Sequence, residues 1–283
     1  MTKPVMGLIA GGGRLPMLQA QGMREAGYRV ACVGLYDQYD AALRELCDDF
    51  VESGVLNIGR WCRQLNRLGA QQAVMVGKVE KSQFLYHPMQ WLKHMPHWRV
   101  ARLYLWDCRH DKRSQALLAG VARELMKGGL ELIDTTKFIP EHMADKGVLT
   151  SREPTAAQRR DIDFVWPILM RMNDLDIGQA VAVKDGDVIA VEAMEGTDAM
   201  IERSGGLCRK PGWVMAKGAP SKKDPRFDVP TIGVKTIENL AQAGAGCLVV
   251  AAGRVILLDK PQVLAAADRL GVAIVGRPAD SAE

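Results

Sequence analysis

Through its first third the chain alternates short apolar runs with stretches whose apolar residues recur at helical spacing. No other feature narrows the fold so far. Apolar runs at 5–10, 29–34, 50–56 and 73–79 are separated by helix-like stretches at 16–26, 41–47 and 61–68. A strand buried on both faces reads as a continuous apolar run, whereas a half-exposed strand alternates. Strand, helix and strand at this spacing predict a parallel sheet covered by helices, a Rossmann-like domain. From residue 90 to 127 the pattern turns helical, with a weak strand at 130–133.

The segment 140–154 is polar, carries Gly147 and reads as a linker. Residues 1–139 are therefore expected to form the N-terminal Rossmann-like domain, and 155–283 a second, C-terminal domain of strands and helices. Residues 156–175 read as one long helix, in which Pro167 should cost a hydrogen bond and bend the axis. Runs at 179–184 and 187–193 flank Asp185-Gly186, a hairpin signal. A strand is expected at 213–217. Runs at 247–252 and 255–258 flank Gly253-Arg254, a second tight turn, before a helix at 265–270 and a closing strand at 272–275.

Composition excludes several classes. A chain of 283 residues is a soft match to two domains and long enough for a substantial core. Its 48% hydrophobic and 25% charged residues are ordinary for a soluble globular protein. Lys, Arg, Asp or Gly interrupts every apolar run before it reaches membrane-spanning length. Met1-Thr2-Lys3-Pro4 lead at once into a strand, so no secretory leader is expected. A net charge of +4 is too mild to argue for nucleic acid, although it allows a local basic patch. Cys32, Cys47, Cys62, Cys108, Cys208 and Cys247 are scattered without a CxxC, and read as small core residues and free thiols. His87, His94, His97, His110 and His142 are ill-spaced for a metal. No Ser/His/Asp or Cys/His arrangement stands out.

Four places carry candidate chemistry. Gly11-Gly12-Gly13 follows a strand and precedes a helix, where backbone amides and a helix N-terminus face an anion. Leu15 and Pro16 break the GxGxxG dinucleotide fingerprint, and no Gly-Lys-Ser/Thr follows to make a P-loop. Glu195-Gly196-Thr197-Asp198-Ala199-Met200 packs acid, glycine and hydroxyl between apolar runs, and Phe227-Asp228-Val229-Pro230-Thr231-Ile232-Gly233 repeats the combination. Carboxylates in apolar surroundings need a partner, a hydrogen bond or a metal. The first cluster reads equally as a helix cap, since Thr197 and Asp198 are good N-cap residues for a helix running toward Arg203. Finally, Lys217, Lys222, Lys223 and Arg226 fall in one basic stretch. Lys222 and Lys223 read as solvated, while Lys217 and Arg226 are the better candidates for holding a diphosphate.

Four motifs occur in a recognisable order: Gly7-Leu8-Ile9-Ala10-Gly11-Gly12-Gly13-Arg14-Leu15-Pro16, Leu175-Asp176-Ile177-Gly178-Gln179, Glu192-Ala193-Met194-Glu195-Gly196-Thr197-Asp198-Ala199-Met200 and Asp228-Val229-Pro230-Thr231-Ile232-Gly233. Together they resemble the metal-dependent UDP-2,3-diacylglucosamine pyrophosphatases that are unrelated to the calcineurin-like phosphoesterases. The resemblance covers nearly the whole chain and is strongest from Leu175 onward. Residues 81–98, aromatic and Met-rich, depart from the family's pattern.

The resemblance implies a Rossmann-like domain and a C-terminal α/β domain with substrate held between them. It implies hydrolysis of UDP-2,3-diacylglucosamine to UMP and 2,3-diacylglucosamine 1-phosphate (lipid X), a step of lipid A synthesis, with Mg²⁺ or Mn²⁺. The family's key aspartate matches Asp228, and Glu195 and Asp198 are the candidates to complete the metal site. Substrate-binding candidates are Gly11, Gly12, Gly13, Arg14, Leu15 and Lys78 in the first domain. In the second they are Gln179, Gly196, Thr197, Lys217, Arg226 and Thr231. A nucleotide-linked glycolipid as partner implies a cytoplasmic enzyme touching the inner membrane surface, with a homodimer compatible and nucleic acid not expected. Two rival classes stand beside it: a dinucleotide-dependent oxidoreductase or transferase, and a non-catalytic nucleotide-sugar or lipid binding protein.

Overall fold

The computed structural model describes residues 3–79, 114–219, 224–226 and 229–279, with side chains of the helix at 114–127 described from Leu118 onward. The chain splits into two compact units, Met1–Ile139 with Asp224–Asp228, and Pro140–Lys223 with Val229–Glu283.

The first unit contains β1 (Val5–Ala10), α1 (Leu15–Glu25), β2 (Arg29–Leu35), β3 (Asp49–Ser53), α2 (Ile58–Arg67), β4 (Gln72–Val76), α3 (Ser114–Lys127) and β5 (Glu131–Leu132). The stretch expected to be helical at 41–47 is a 3-10 helix, Ala41–Leu46, started by the Asp40 carboxylate accepting from the Ala42 amide at 2.9 Å. All pairings in the sheet are parallel, in the order β3-β2-β1-β4-β5. The period-two rule divides the apolar runs between two faces. Ile9, Ala31, Val33 and Leu35 pack with Trp61, Leu65 and Leu125 of α2 and α3. Met6, Leu8, Ala10, Val30 and Cys32 pack with Ala20 and Met23 of α1. Each run is continuous because helices cover both faces, as the sequence pattern required. The strand order reverses at β1, so its C-terminal end is the topological switch point.

The second unit contains β6 (Gly147–Val148), α4 (Ala156–Asp174), β7 (Ala180–Lys184), β8 (Asp187–Val191), α5 (Thr197–Leu207), β9 (Trp213–Lys217), β10 (Thr231–Ile232), α6 (Val234–Gln242), β11 (Ala245–Ala251), β12 (Ile256–Leu257), α7 (Lys260–Leu270) and β13 (Ala273–Arg277). Its main sheet runs β6-β13-β11-β9-β7-β8. The central β13, β11 and β9 are parallel, and β7 is antiparallel to both β9 and β8. The fold is thus α/β in both units, as expected. Segment 140–154, read from its polarity as a linker, lies in this second unit. There Gly147 and Val148 pair with Gly276 and Val275, and the Leu149 amide donates to the Ile274 carbonyl at 2.8 Å.

Local chemistry explains the element ends. Helix α4 starts with a capping box: the Gln158 amide donates to the Thr155 hydroxyl and the Thr155 amide to the Gln158 side chain. It continues through Pro167 and buries Val165, Trp166 and Leu169. Asp185 and Gly186 take φ of +53° and +77°, the left-handed pair a two-residue hairpin needs. Their amides donate to the buried Asp161 carboxylate of α4, which ties the turn to the helix. The second expected turn also forms. The Gly253-Arg254 turn closes, with the Arg254 amide donating to the Ala251 carbonyl, yet β12 does not return beside β11. It pairs in parallel with β10 in a separate two-stranded sheet, because both edges of β11 are already taken by β9 and β13.

Candidate functional site

In the first unit the glycine turn sits at the switch point, but the structure gives its glycines a different primary task. The Gly11 amide donates to the Val76 carbonyl at 2.9 Å, and Gly12 exchanges amide and carbonyl with Lys78 at 2.8 and 2.9 Å. A Cβ on Gly11 would stand 2.6 Å from the Lys78 carbonyl oxygen, and one on Gly12 would stand 2.7 Å from that of Gln38. Small residues are required here by backbone approaching backbone, and two of the amides expected to cradle an anion are spent inside the protein. Gly13, with φ of +94°, has open space around it and leads into α1. Leu15 packs on the core beneath the turn, whereas Arg14 and Lys78 are exposed at this edge of the sheet.

Arg226 is held by its neighbour. Its guanidinium donates to both carboxylate oxygens of Asp224, and this contact keeps the Asp224 carboxyl below the usual carboxylate range. Between them the Pro225 carbonyl accepts from the Thr135 amide and hydroxyl at 3.0 and 2.9 Å. Lys222, Lys223 and Asp228 lie outside the described residues, as do residues 81–98 and four of the five histidines. The described cysteines Cys32, Cys47, Cys62, Cys208 and Cys247 are free thiols, as expected, and burial pushes Cys247 up to about 12.

The second unit assembles a buried polar relay at the C-terminal end of β9. Ala180 pairs with Lys217 across β7 and β9, and its carbonyl accepts from the Glu192 amide at 2.9 Å. Positions 217, 180 and 192 therefore stand side by side, and residues opposite one another in antiparallel pairs project to one face. On that face the Lys217 ammonium donates to the Thr197 hydroxyl at 2.7 Å, and Thr197 donates to Glu192 Oε1 at 2.8 Å. Lys217 is only 6% and Glu192 only 8% exposed. A buried cation and a buried anion are tolerated because a hydroxyl links them.

Thr197 and Asp198 are not N-caps. Gly196, with φ of +84°, caps α5 without a side-chain bond, and the two residues occupy the first turn. That places Thr197 where its hydroxyl turns back to Glu192. Asp198 accepts from the Asn239 side chain at 3.0 Å. Glu195 accepts from the Ala193 amide and the Arg203 guanidinium. Its carboxyl is lowered first by its own backbone amide and then by Arg203. Gln179 accepts through its carbonyl from the Gly218 amide at 3.0 Å, and Thr231 pairs with Ile256. Among the described residues no group of three or more His, Cys, Asp or Glu side chains is placed to hold a metal ion.

Two residues of this region escape sequence reasoning. Glu192 reads as the end of a strand, and nothing in the sequence shows that it is buried. Asn173, near the C-terminus of α4, is 2% exposed, and neither side-chain polar atom has a hydrogen-bond partner among the described residues. Gly218 leaves room for it, since a Cβ there would lie 3.2 Å from Asn173 Nδ2. An unsatisfied buried polar group costs about 1–3 kcal/mol. Asn173 and Glu192 Oε2 thus mark this sheet edge as one not built for stability alone.

Comparison with known proteins covers nearly the whole chain. Residues 5–142 match the family described as the LpxI N-terminal domain, and residues 145–275 match the LpxI C-terminal domain. The chain is 33% identical over 280 residues, 96% of each chain, to the UDP-2,3-diacylglucosamine pyrophosphatase LpxI of Caulobacter vibrioides. Among solved structures, the biotin carboxylase domain of Hydrogenobacter thermophilus 2-oxoglutarate carboxylase gives a TM-score of 0.28 at 12% identity, over 66% of this chain and 36% of that one. N5-carboxyaminoimidazole synthetase from Staphylococcus aureus gives 0.24 at 16% identity, over 72% of this chain and 44% of that one. At such scores the likeness carries no structural inference.

Proposed function

The chain belongs to the LpxI family, and we propose that it hydrolyses the diphosphate of UDP-2,3-diacylglucosamine, releasing UMP and 2,3-diacylglucosamine 1-phosphate (lipid X). The observation that carries this reading is the buried Lys217 ammonium at the C-terminal end of β9, steadied by Thr197 and Glu192. Ligands of open α/β sheets gather at the carboxyl ends of strands. A diphosphate gathers negative charge in the transition state, and a cation fixed beforehand stabilises that charge without reorganising. Arg14 and Lys78 are the corresponding candidates in the first unit. Asp228 is proposed to orient the attacking water. The test is direct: UMP release from the lipid substrate by the purified protein, whose absence would reject the reading.

Metal dependence belongs to the same proposal. Among the described residues no carboxylates form a cradle, and Asp228, Glu195 and Asp198 are the oxygen donors proposed for the cation. A divalent cation would supply charge neutralisation at the diphosphate. Oxygen donors of this kind suit Mg²⁺ or Mn²⁺ better than zinc. EDTA is expected to stop UMP release and excess Mg²⁺ to restore it. Undiminished turnover after exhaustive chelation would remove the metal from the mechanism.

We also propose peripheral contact with a membrane surface, as a diacylated substrate requires. Among the described residues no helix is long and apolar enough to cross a membrane. Leu175, Ile177 and Met194 are nevertheless exposed, and the Gly178 Cα packs against the Glu192 carbonyl. The two exposed apolar stretches therefore flank the relay. Single exposed apolar side chains are ordinary, whereas several beside a lipid-handling site have a use. Replacing all three with Ser is expected to cut co-sedimentation with phospholipid vesicles several-fold. Equal sedimentation of variant and wild type would sink the idea.

A further inference from the structure

Glu192 enters the proposed chemistry only as a support for Lys217, yet it is more deeply buried than Glu195 or Asp198. Its Oε1 accepts from Thr197, while Oε2 has no hydrogen-bond partner among the described residues. The relay has only one possible direction. A lysine ammonium donates and never accepts, so Thr197 must receive the Lys217 bond on a lone pair. The single hydroxyl proton of Thr197 is then directed at Glu192. Without that acceptor the proton is released to rotate, and the lone pair facing Lys217 is no longer fixed.

We infer that Glu192 is a positioning residue, which sets the polarity of the Thr197 hydroxyl and thereby holds the Lys217 ammonium where it meets the substrate's diphosphate. The inference rests on the diphosphatase reading. It also explains why a carboxylate sits at position 192 when burying it costs free energy. A structural acid would be expected to satisfy both oxygens. Here one oxygen serves the relay and the other is left over. Ala180 lies between Glu192 and Lys217 across the strands, and among the described residues the Thr197 hydroxyl links the carboxylate to the cation.

The test is a cycle of Glu192→Leu, which removes the acceptor, and Lys217→Met, read as kcat/KM for UMP release. Glu192→Leu is expected to lower kcat/KM about tenfold and Lys217→Met about a hundredfold, with the double variant no worse than Lys217→Met alone. Multiplying losses would show that Glu192 acts independently of Lys217 and would overturn the inference. Thr197 supplies a second arm in which packing and hydrogen bonding pull in opposite directions. Thr197→Ser keeps the hydroxyl and loses a methyl group, whereas Thr197→Val keeps the volume and loses the hydroxyl. Near wild-type turnover for Ser with a loss for Val similar to that of Glu192→Leu supports the relay, and the reverse order overturns it. If wild type hydrolyses the substrate and Lys217→Met does so equally well, the diphosphatase reading stands and the relay falls. If wild type releases no UMP, the diphosphatase reading fails. Calorimetric affinity for the intact substrate across the same variants then decides the relay by the same pattern.

Discussion

Replacing Asp228 with Ala is expected to lower UMP release by about 10²–10⁴-fold, the range a positioned acid–base group contributes, while substrate still binds. The described residues that follow Asp228 in the motif are anchored in the second unit. The Pro230 carbonyl accepts from the Ile256 amide at 2.9 Å. Thr231 and Ile232 pair with Ile256 and Leu257, and Gly233 then caps α6. Asp228→Asn is the finer variant, because it keeps the volume and removes only the charge. Its loss should approach that of Ala. Near-normal turnover by Asn would show that charge at this position does no chemistry, and near-normal turnover by Ala would move the catalytic role elsewhere.

The fold was legible in the sequence wherever burial is two-sided. Continuous apolar runs in the first third needed helices on both faces, and the partition of Ile9 from Leu8 and of Val33 from Cys32 shows those faces. The Asp185-Gly186 hairpin was legible because few residue pairs take two left-handed conformations in succession. What stayed hidden depends on contacts distant in sequence. Nothing local reveals that Gly11 and Gly12 are small to admit the Lys78 and Gln38 backbone, so the triple glycine read as an anion cradle. Thr197 had the right chemistry for a cap, but Gly196 takes that position. The hydroxyl is left for Glu192 and Lys217, which lie five residues before and twenty after it. The motif around 192–200 was visible as a pattern. Which of its acids is buried was not, because exposure is decided by the neighbouring strands. Glu195 stood out among the acids but is exposed and paired with Arg203, whereas Glu192 carries the relay.

Gly178→Ala is expected to destabilise the second unit strongly. Gly178 lies in the Leu175-Asp176-Ile177-Gly178-Gln179 motif, between the end of α4 and the start of β7, and its φ is not in the left-handed region. The requirement for glycine is therefore spatial. A Cβ at this position would stand 1.8 Å from the Glu192 carbonyl oxygen. That oxygen is backbone and cannot rotate aside, so Gly178→Ala must displace the end of β8 or the start of β7. Overpacking typically costs about 1–3 kcal/mol, and a collision between main chains belongs at the upper end of that range. A loss of about 3 kcal/mol lowers the unfolding midpoint by roughly 6–12 °C in a domain of this size. Because the displaced residue is Glu192, kcat/KM should fall even at temperatures where the variant is fully folded. Gly206→Ala is the matched control in the same unit. Its Cβ would meet nothing within 4 Å and the residue lies in α5. Alanine there should leave stability unchanged or raise it by up to about 1 kcal/mol. Calorimetric unfolding of the two variants checks the sign of each effect. A Gly178→Ala protein as stable and active as wild type would show that the approach of Gly178 to Glu192 constrains neither the fold nor the relay.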